Sequence, residues 1–144
     1  MEAVEVTSMT TIAWDGKTLA ADSQTGMFKR DAVKIHRLRR GLFGSCGALQ
    51  DNVAVKEWLD DPDRPKPSVD DGFHGILIEN GKVFSIENKL VLMDEHGQFF
   101  ACGSGREYAM AAMHLGCDAR AAVSVAGVFD HCTGGEIIAL ELQA

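Results

Sequence analysis

The strongest constraint on this chain is a turn signal that occurs twice. The run TTIAW-DG-KTLAA sets Asp15-Gly16 between two short apolar stretches, and GILIE-NG-KVFSI repeats the arrangement around Asn80-Gly81. Such dipeptides tolerate the positive φ that both central residues of a two-residue type I′ turn require, so each run predicts a tight antiparallel hairpin. KIHRL-RRG-LFGSCG predicts a third hairpin, and LVLM-DEHG-QFFACG a fourth with a longer turn. EIIALEL is the last strand, with Ile138, Leu140 and Leu142 on one face.

Helices are fewer. DNVAVKEWL (51–59) starts from Asp51 as N-cap, and DARAAVSVAGVF (118–129) from Asp118. REYAMAAMHL (106–115) sets Tyr108, Ala111, Ala112 and Leu115 at helical spacing, and the later helix sets Ala122, Val125 and Phe129 on one side. The small residues on both predict close packing against a sheet. All three prolines fall in DDPDRPKPSVDDG (60–72), an acidic, solvated and mobile loop. Hairpins, one helix, more hairpins, two helices and a final strand make an antiparallel α+β domain. If two sheets stack, helices can cover both outer faces.

At 144 residues the chain is one domain with room for a core that needs neither disulfide nor metal. A net charge of −7 argues against a nucleic-acid or anionic-membrane surface. The one basic cluster, KIHRLRR (34–40), alternates with apolar residues and reads as strand and turn. The four cysteines form no C-x-x-C pair and lie among small or apolar residues, which predicts reduced, mostly buried thiols and a cytoplasmic protein. The first eight residues, MEAVEVTS, lack the apolar segment of a signal peptide, and no apolar run is long enough to span a bilayer.

Several polar residues admit two readings. Thr10 and Thr11 suit the start of any strand, since β-branched residues favour strands. Asp22 reads equally as a turn residue and Lys34 as a solvated charge. Gly47 and the glycines of GSG (103–105) suit tight turns. Cys46 paired with a histidine has the elements of a thiol nucleophile, although small flanking residues favour a buried, inert thiol. HLGC (114–117) with DHC (130–132) offers metal ligands at a spacing that matches no zinc signature, and His131 reads as a loop residue.

Taken together, MTTIAWDGKTLAADSQ, VKIHRL, GSCGALQD and ACGSGREYA…FDHCTGG resemble, in order and approximate spacing, the β-subunits of proteasomes and the bacterial HslV protease. Those are N-terminal-nucleophile hydrolases, and the resemblance runs from Thr10 to the C-terminus. It implies a four-layer αββα sandwich over 10–144 and a threonine-type endopeptidase. Thr10 aligns with the nucleophile, Asp22 with the acid that holds a lysine, and Lys34 with that lysine. Gly47 aligns with the oxyanion donor, and Ser104, Asp130 and Thr133 with the polar set around the terminal amine.

The chemistry requires a chain terminus at Thr10. A free α-amine has a reference pKa of about 7.7–8.0 and can take the threonine's own hydroxyl proton; an amide nitrogen cannot. Residues 1–9 are therefore an extension or propeptide to be removed. The Met9–Thr10 junction suits methionine removal if translation starts at Met9; from Met1, autolysis at an unusual junction is needed.

The resemblance also implies peptide or unfolded-protein substrates, a homo-oligomeric ring and an unfolding ATPase as partner. It implies no cofactor and no metal. Two other readings share the fold, a non-catalytic ring or scaffold subunit and an amidohydrolase for small amides. The family's two long helices after the third hairpin are reduced here to a short helix and the proline loop, a thinned helix layer over 51–72.

Overall fold

In the computed structural model, which describes residues 10–25 and 30–142, two antiparallel sheets stack face to face between helices. The elements run β1 (Thr11–Trp14), β2 (Thr18–Ala21), β3 (Gln24–Thr25), β4 (Arg30–Asp31), β5 (Ile35–Arg37), β6 (Leu42–Cys46), α1 (Leu49–Asp60), β7 (His74–Glu79), β8 (Lys82–Ile86), β9 (Leu92–Glu95), β10 (Phe100–Gly103), α2 (Arg106–His114), α3 (Ala119–Phe129) and β11 (Ile138–Glu141). One sheet has the order β10-β1-β2-β11 and the other β5-β6-β7-β8-β9, while β3 and β4 form a separate two-stranded ribbon. The expected extension, residues 1–9, lies outside the described residues.

Strand alternation builds the layers. On β1 and β2, Ile12, Trp14, Leu19 and Ala21 point between the sheets, where they meet Leu42, Ile76, Ile78 and Cys102. Ala13, Ala20 and Ala101 point the other way, under Ala109, Ala112, Ala119 and Ala122 of α2 and α3. Alanine facing alanine lets the helix backbones approach the sheet closely, as the small-residue content predicts. Across the molecule, Phe43, Leu77 and Ile86 face Val55 and Leu59 of α1. One twelve-residue helix and the exposed loop behind it cover this face, so the thinned helix layer is present. Among the described residues no helix is long and apolar enough to cross a membrane.

Four local expectations need correction. Asn80 (φ 53°) and Gly81 (φ 76°) do form the central pair of a tight turn, with Glu79 opposite Lys82. In the first hairpin, however, Trp14 pairs with Leu19 and the Asp15 N–H donates to the Thr18 carbonyl, so the turn centres on Gly16-Lys17. Glycine comes first there, at φ 100°, as in a type II′ turn. Asp15 is held outside the turn because its carboxylate accepts the Lys17, Thr18 and Ala119 N–H groups, the last at the start of α3.

The fourth hairpin does not form. β9 pairs with β8 in the five-stranded sheet and β10 with β1 in the other, so the intervening residues are a crossover between sheets. Each strand finds an open edge in a different sheet, a choice that no local turn signal encodes. At α1 the helix starts earlier, behind Ala48, with no side-chain cap. Asp51 is buried and accepts the Asp70 N–H instead, anchoring the loop to the helix. Asp118 does cap α3, accepting from the Ala121 N–H.

The buried helix faces are also rotated from the expected ones. α2 buries Ala109, Ala112 and Met113, and α3 buries Ala119, Ala122, Val123 and Ala126. Tyr108 and Phe129 stay largely exposed and stack on each other with centroids 5.4 Å apart.

Candidate active site

Thr10 begins the described chain at the head of β1, and it is buried. Room for it comes from Gly103, at φ 100°, where an added Cβ would collide with the Thr10 carbonyl. Gly105 does the same for the Thr11 hydroxyl. Replacing Gly103 by alanine is therefore expected to cost about 1–3 kcal/mol from the left-handed backbone alone, with the collision added. Thermal unfolding followed by circular dichroism measures it; an unchanged Tm would show that the packing around Thr10 is loose.

From Thr10 a chain of hydrogen bonds runs through four residues. The Thr10 N–H donates to Ser104 Oγ at 3.3 Å, and Ser104 Oγ donates to Asp130 Oδ2 at 2.6 Å. The Ser104 hydroxyl also lies 3.3 Å from the Thr10 carbonyl, but it has one proton, and the short bond to a carboxylate is the stronger claim. Thr133 Oγ1 donates to the same carboxylate oxygen at 2.6 Å, so at the 2.7 Å contact with Thr11 Oγ1 it is the acceptor. The whole chain is thus polarised toward Asp130. Burial pushes the Asp130 carboxyl up, but hydrogen bonds from Ser104, Thr133 and the Cys132 N–H outweigh it and hold the pKa below the ordinary value. Asp130 is an anion at neutral pH.

A second group stands on the other side of the same strand end. Asp22, just after β2, accepts the Thr11 N–H at 3.1 Å and Lys34 Nζ at 3.0 Å on Oδ1, and the Gly134 N–H at 3.0 Å on Oδ2. Lys34 Nζ also donates to the Gln24 carbonyl at 2.6 Å. Both side chains are almost wholly buried, 3% and 1% exposed, so the reading of Lys34 as a solvated charge is overturned. Burial lowers the Lys34 pKa, and attraction to Asp22 opposes that shift. Asn52 of α1 fixes the lysine's backbone, its amide donating to the Lys34 carbonyl and to Ser45 Oγ.

Six of the seven residues singled out in the sequence thus gather around one strand end. Thr10, Ser104, Asp130 and Thr133 share one hydrogen-bonded chain, and Asp22 with Lys34 bonds to the residue that follows Thr10. Gly47 follows β6 at φ 110°, packed against Phe73, and among the described residues no hydrogen bond ties it to the others. Sequence reasoning assigned no role to the Thr11 hydroxyl, the Gly134 N–H or the Gln24 carbonyl. The last two are backbone groups and leave no mark on residue type.

Stacked antiparallel sheets between helices make a four-layer αββα sandwich, with a threonine at the head of an inner strand and a buried Lys–Asp pair on the residue after it. Among solved structures the chain is similar to eukaryotic HslV from Trypanosoma brucei, with a TM-score of 0.72 and 20% identity over 93% of this chain and 99% of that one. It is also similar to Thiobacillus denitrificans BPH in complex with epoxomicin, at TM-score 0.65 and 19% identity over 94% and 99% of the two chains. A further structure of that BPH gives 0.63 and 16% over 93% and 98%. No protein-family model and no curated protein matches the sequence. The fold is HslV-like, and the chemistry has to be argued from the site.

Proposed function

We propose that the chain is a threonine peptidase whose nucleophile, Thr10, becomes active once the Met9–Thr10 bond is cut. The observation that carries this reading is the convergence at one strand end of the chain polarised toward Asp130, which starts at the Thr10 N–H, and the buried Asp22–Lys34 pair, which holds the Thr11 N–H. The freed amine keeps one N–H on Ser104, which turns its lone pair toward the residue's own Oγ1. Oγ1 attacks the scissile carbonyl carbon and the α-amine takes the hydroxyl proton, directly or through a water. The oxyanion faces the Gly47 N–H, a donor worth roughly 10²–10³ in rate in other hydrolases. The carbon–nitrogen bond then breaks, the leaving amine takes the proton from the Thr10 ammonium, and an ester to Oγ1 remains. Water attacks that ester and the α-amine again accepts the proton; as the bond from carbon to Oγ1 breaks, the ammonium returns the proton to Oγ1, releasing the carboxylic acid and the free threonine.

In this reading Lys34 supplies a fixed positive charge that favours the neutral α-amine, and Asp22 holds the lysine charged and in place. The substrates are segments of unfolded protein. An open monomer with this site would cleave indiscriminately, which favours a homo-oligomeric cytoplasmic ring fed by an unfolding ATPase.

The test is the intact mass of the protein purified from its native host. A mass beginning at Thr10 is the expected result; peptidase activity in a preparation that retains Met9 would sink the proposal, and an inactive chain that retains it marks a scaffold subunit. Epoxomicin, bound in the Thiobacillus neighbour, serves as a second probe and is expected to bind only the processed form.

The pH profile carries a further expectation. Activity rises as the α-amine loses its proton, with an apparent pKa below the ordinary range of about 7.7–8.0 because of Lys34. It falls again as Lys34 itself deprotonates, below that group's ordinary 10.5, since burial lowers its pKa. Initial rates on a fluorogenic peptide across pH measure both limbs, and a rising limb above 8 contradicts the role given to Lys34.

A further inference from the structure

Two thiols and an imidazole from three strands converge between the sheets. Cys46 ends β6, His74 opens β7 opposite it in register, and Cys102 lies on β10 in the other sheet. One ligand atom from each, the two Sγ atoms and a ring nitrogen, lie within 4.8 Å of one another. Cys46 and Cys102 are buried between the sheets, whereas His74 is half-buried and stands edge-on to Phe100 with centroids 6.1 Å apart. The Cys46 thiol donates to the His74 carbonyl at 3.2 Å, and among the described residues neither ring nitrogen of His74 has a hydrogen-bond partner.

We propose that Cys46, His74 and Cys102 form a site for a thiolate-seeking d10 cation, zinc(II) in the first place, which ties the two sheets together. Zinc takes thiolates at about 2.3 Å and imidazole at about 2.0–2.1 Å in tetrahedral array, which sets the three ligand atoms about 3.5–4 Å apart. Small side-chain rotations reach that spacing from the observed one. Two thiolates neutralise a divalent cation, so the loaded site carries no net charge into an apolar core made of residues such as Ile12, Trp14 and Ile76. Binding releases the two thiol protons to solvent. The half-buried imidazole marks the side from which the ion enters and a water completes the shell.

This arrangement gives Cys46 the role of a ligand rather than a thiol nucleophile, its thiol set against the His74 backbone between the sheets. None of the three ligands is assigned a role in the proposed peptidase machinery, and metal binding is read out separately from peptidase activity.

Cobalt(II) is the probe. The full chain, reduced with a phosphine and desalted, is titrated with Co²⁺ and then Zn²⁺. One Co²⁺ per chain is expected, with sulfur-to-cobalt charge transfer in the near ultraviolet and the intense visible bands of a four-coordinate ion, all displaced by Zn²⁺. Cys46→Ser and Cys102→Ser are each expected to abolish the charge-transfer band, and His74→Ala to weaken binding by at least about tenfold. The double variant Cys117→Ser/Cys132→Ser should bind like the parent.

Should the core variants fail to fold, X-ray absorption of the zinc-loaded parent reads the shell directly as two sulfurs and one nitrogen. A parent that binds no Co²⁺, a shell without two sulfurs, or undiminished binding in both serine variants overturns the proposal. So does a Cys46–Cys102 disulfide that forms in the presence of Zn²⁺.

Discussion

Replacing Thr10 by alanine is expected to lower kcat on a fluorogenic peptide by at least about 10³-fold, as deleting a nucleophile does in other hydrolases, while the fold survives. The substitution is selective because alanine keeps the α-amine and is small enough to permit the same methionine removal. It also keeps the N–H that bonds to Ser104 and deletes only the attacking oxygen and a methyl group. Among the described residues no hydrogen bond to Thr10 Oγ1 holds the structure together, whereas the backbone N–H of Thr10 donates to Ser104. The measurement is a kcat and Tm pair on a preparation whose N-terminus has been verified by mass.

Thr11→Ala is the natural control. It removes the outermost member of the hydrogen-bonded chain and leaves Ser104 and Thr133 on Asp130, so its loss should be far smaller. A Thr10→Ala protein with full peptidase activity ends the assignment, and if Thr11→Ala is then the inactive one, the nucleophile moves by one residue. The same pair run on small amides separates a peptidase from an amidohydrolase, because both depend on Thr10 and differ only in substrate.

What the sequence makes legible follows from how local the information is. Asn80-Gly81 specifies its turn by itself, since both residues tolerate the positive φ they adopt, and Asp118 caps its helix through a bond to Ala121 three residues away. The fourth hairpin fails because the partners of β9 and β10 are chosen by open sheet edges, and β10 finds its edge on β1, some ninety residues earlier. Asp15 and Asp51 look like local turn and cap residues, yet each is used for a long-range anchor, to Ala119 and Asp70.

The candidate site divides along the same line. Thr10, Asp22, Lys34, Ser104, Asp130 and Thr133 are visible only as an ordered set, because each alone suits a strand start, a turn or a surface. The Cys46, His74 and Cys102 cluster leaves no signature at all. Its members are twenty-eight residues apart in each interval, and only the closing of one sheet over the other brings them together.

The Asp22–Lys34 pair should produce the largest change in stability, and its two halves should not be equivalent. Lys34→Met leaves Asp22 buried but still holding two backbone N–H donors, from Thr11 and Gly134. Asp22→Asn instead removes the carboxylate charge beside the buried ammonium, which keeps the Gln24 carbonyl among its acceptors, and turns a donor group toward either Thr11 or Gly134. Breaking a buried ion pair by removing one partner costs about 3–5 kcal/mol. Asp22→Asn belongs at the upper end of that range and Lys34→Met at the lower.

For a domain of this size such a loss is a Tm drop of roughly 10 °C or more. The double variant Asp22→Asn/Lys34→Met should be more stable than Asp22→Asn alone, since the buried ammonium is removed along with the carboxylate it bonded, and a double-mutant cycle from denaturant unfolding measures the coupling. Activity should follow a different order. Both single variants and the double variant lose the fixed cation, or its position, beside the α-amine, so the rising limb of the pH profile moves upward in Lys34→Met even where stability is regained in the double. A double variant that recovers both stability and the parent pH profile would reduce the pair to a structural device, and the amine would then need another source for its low proton affinity.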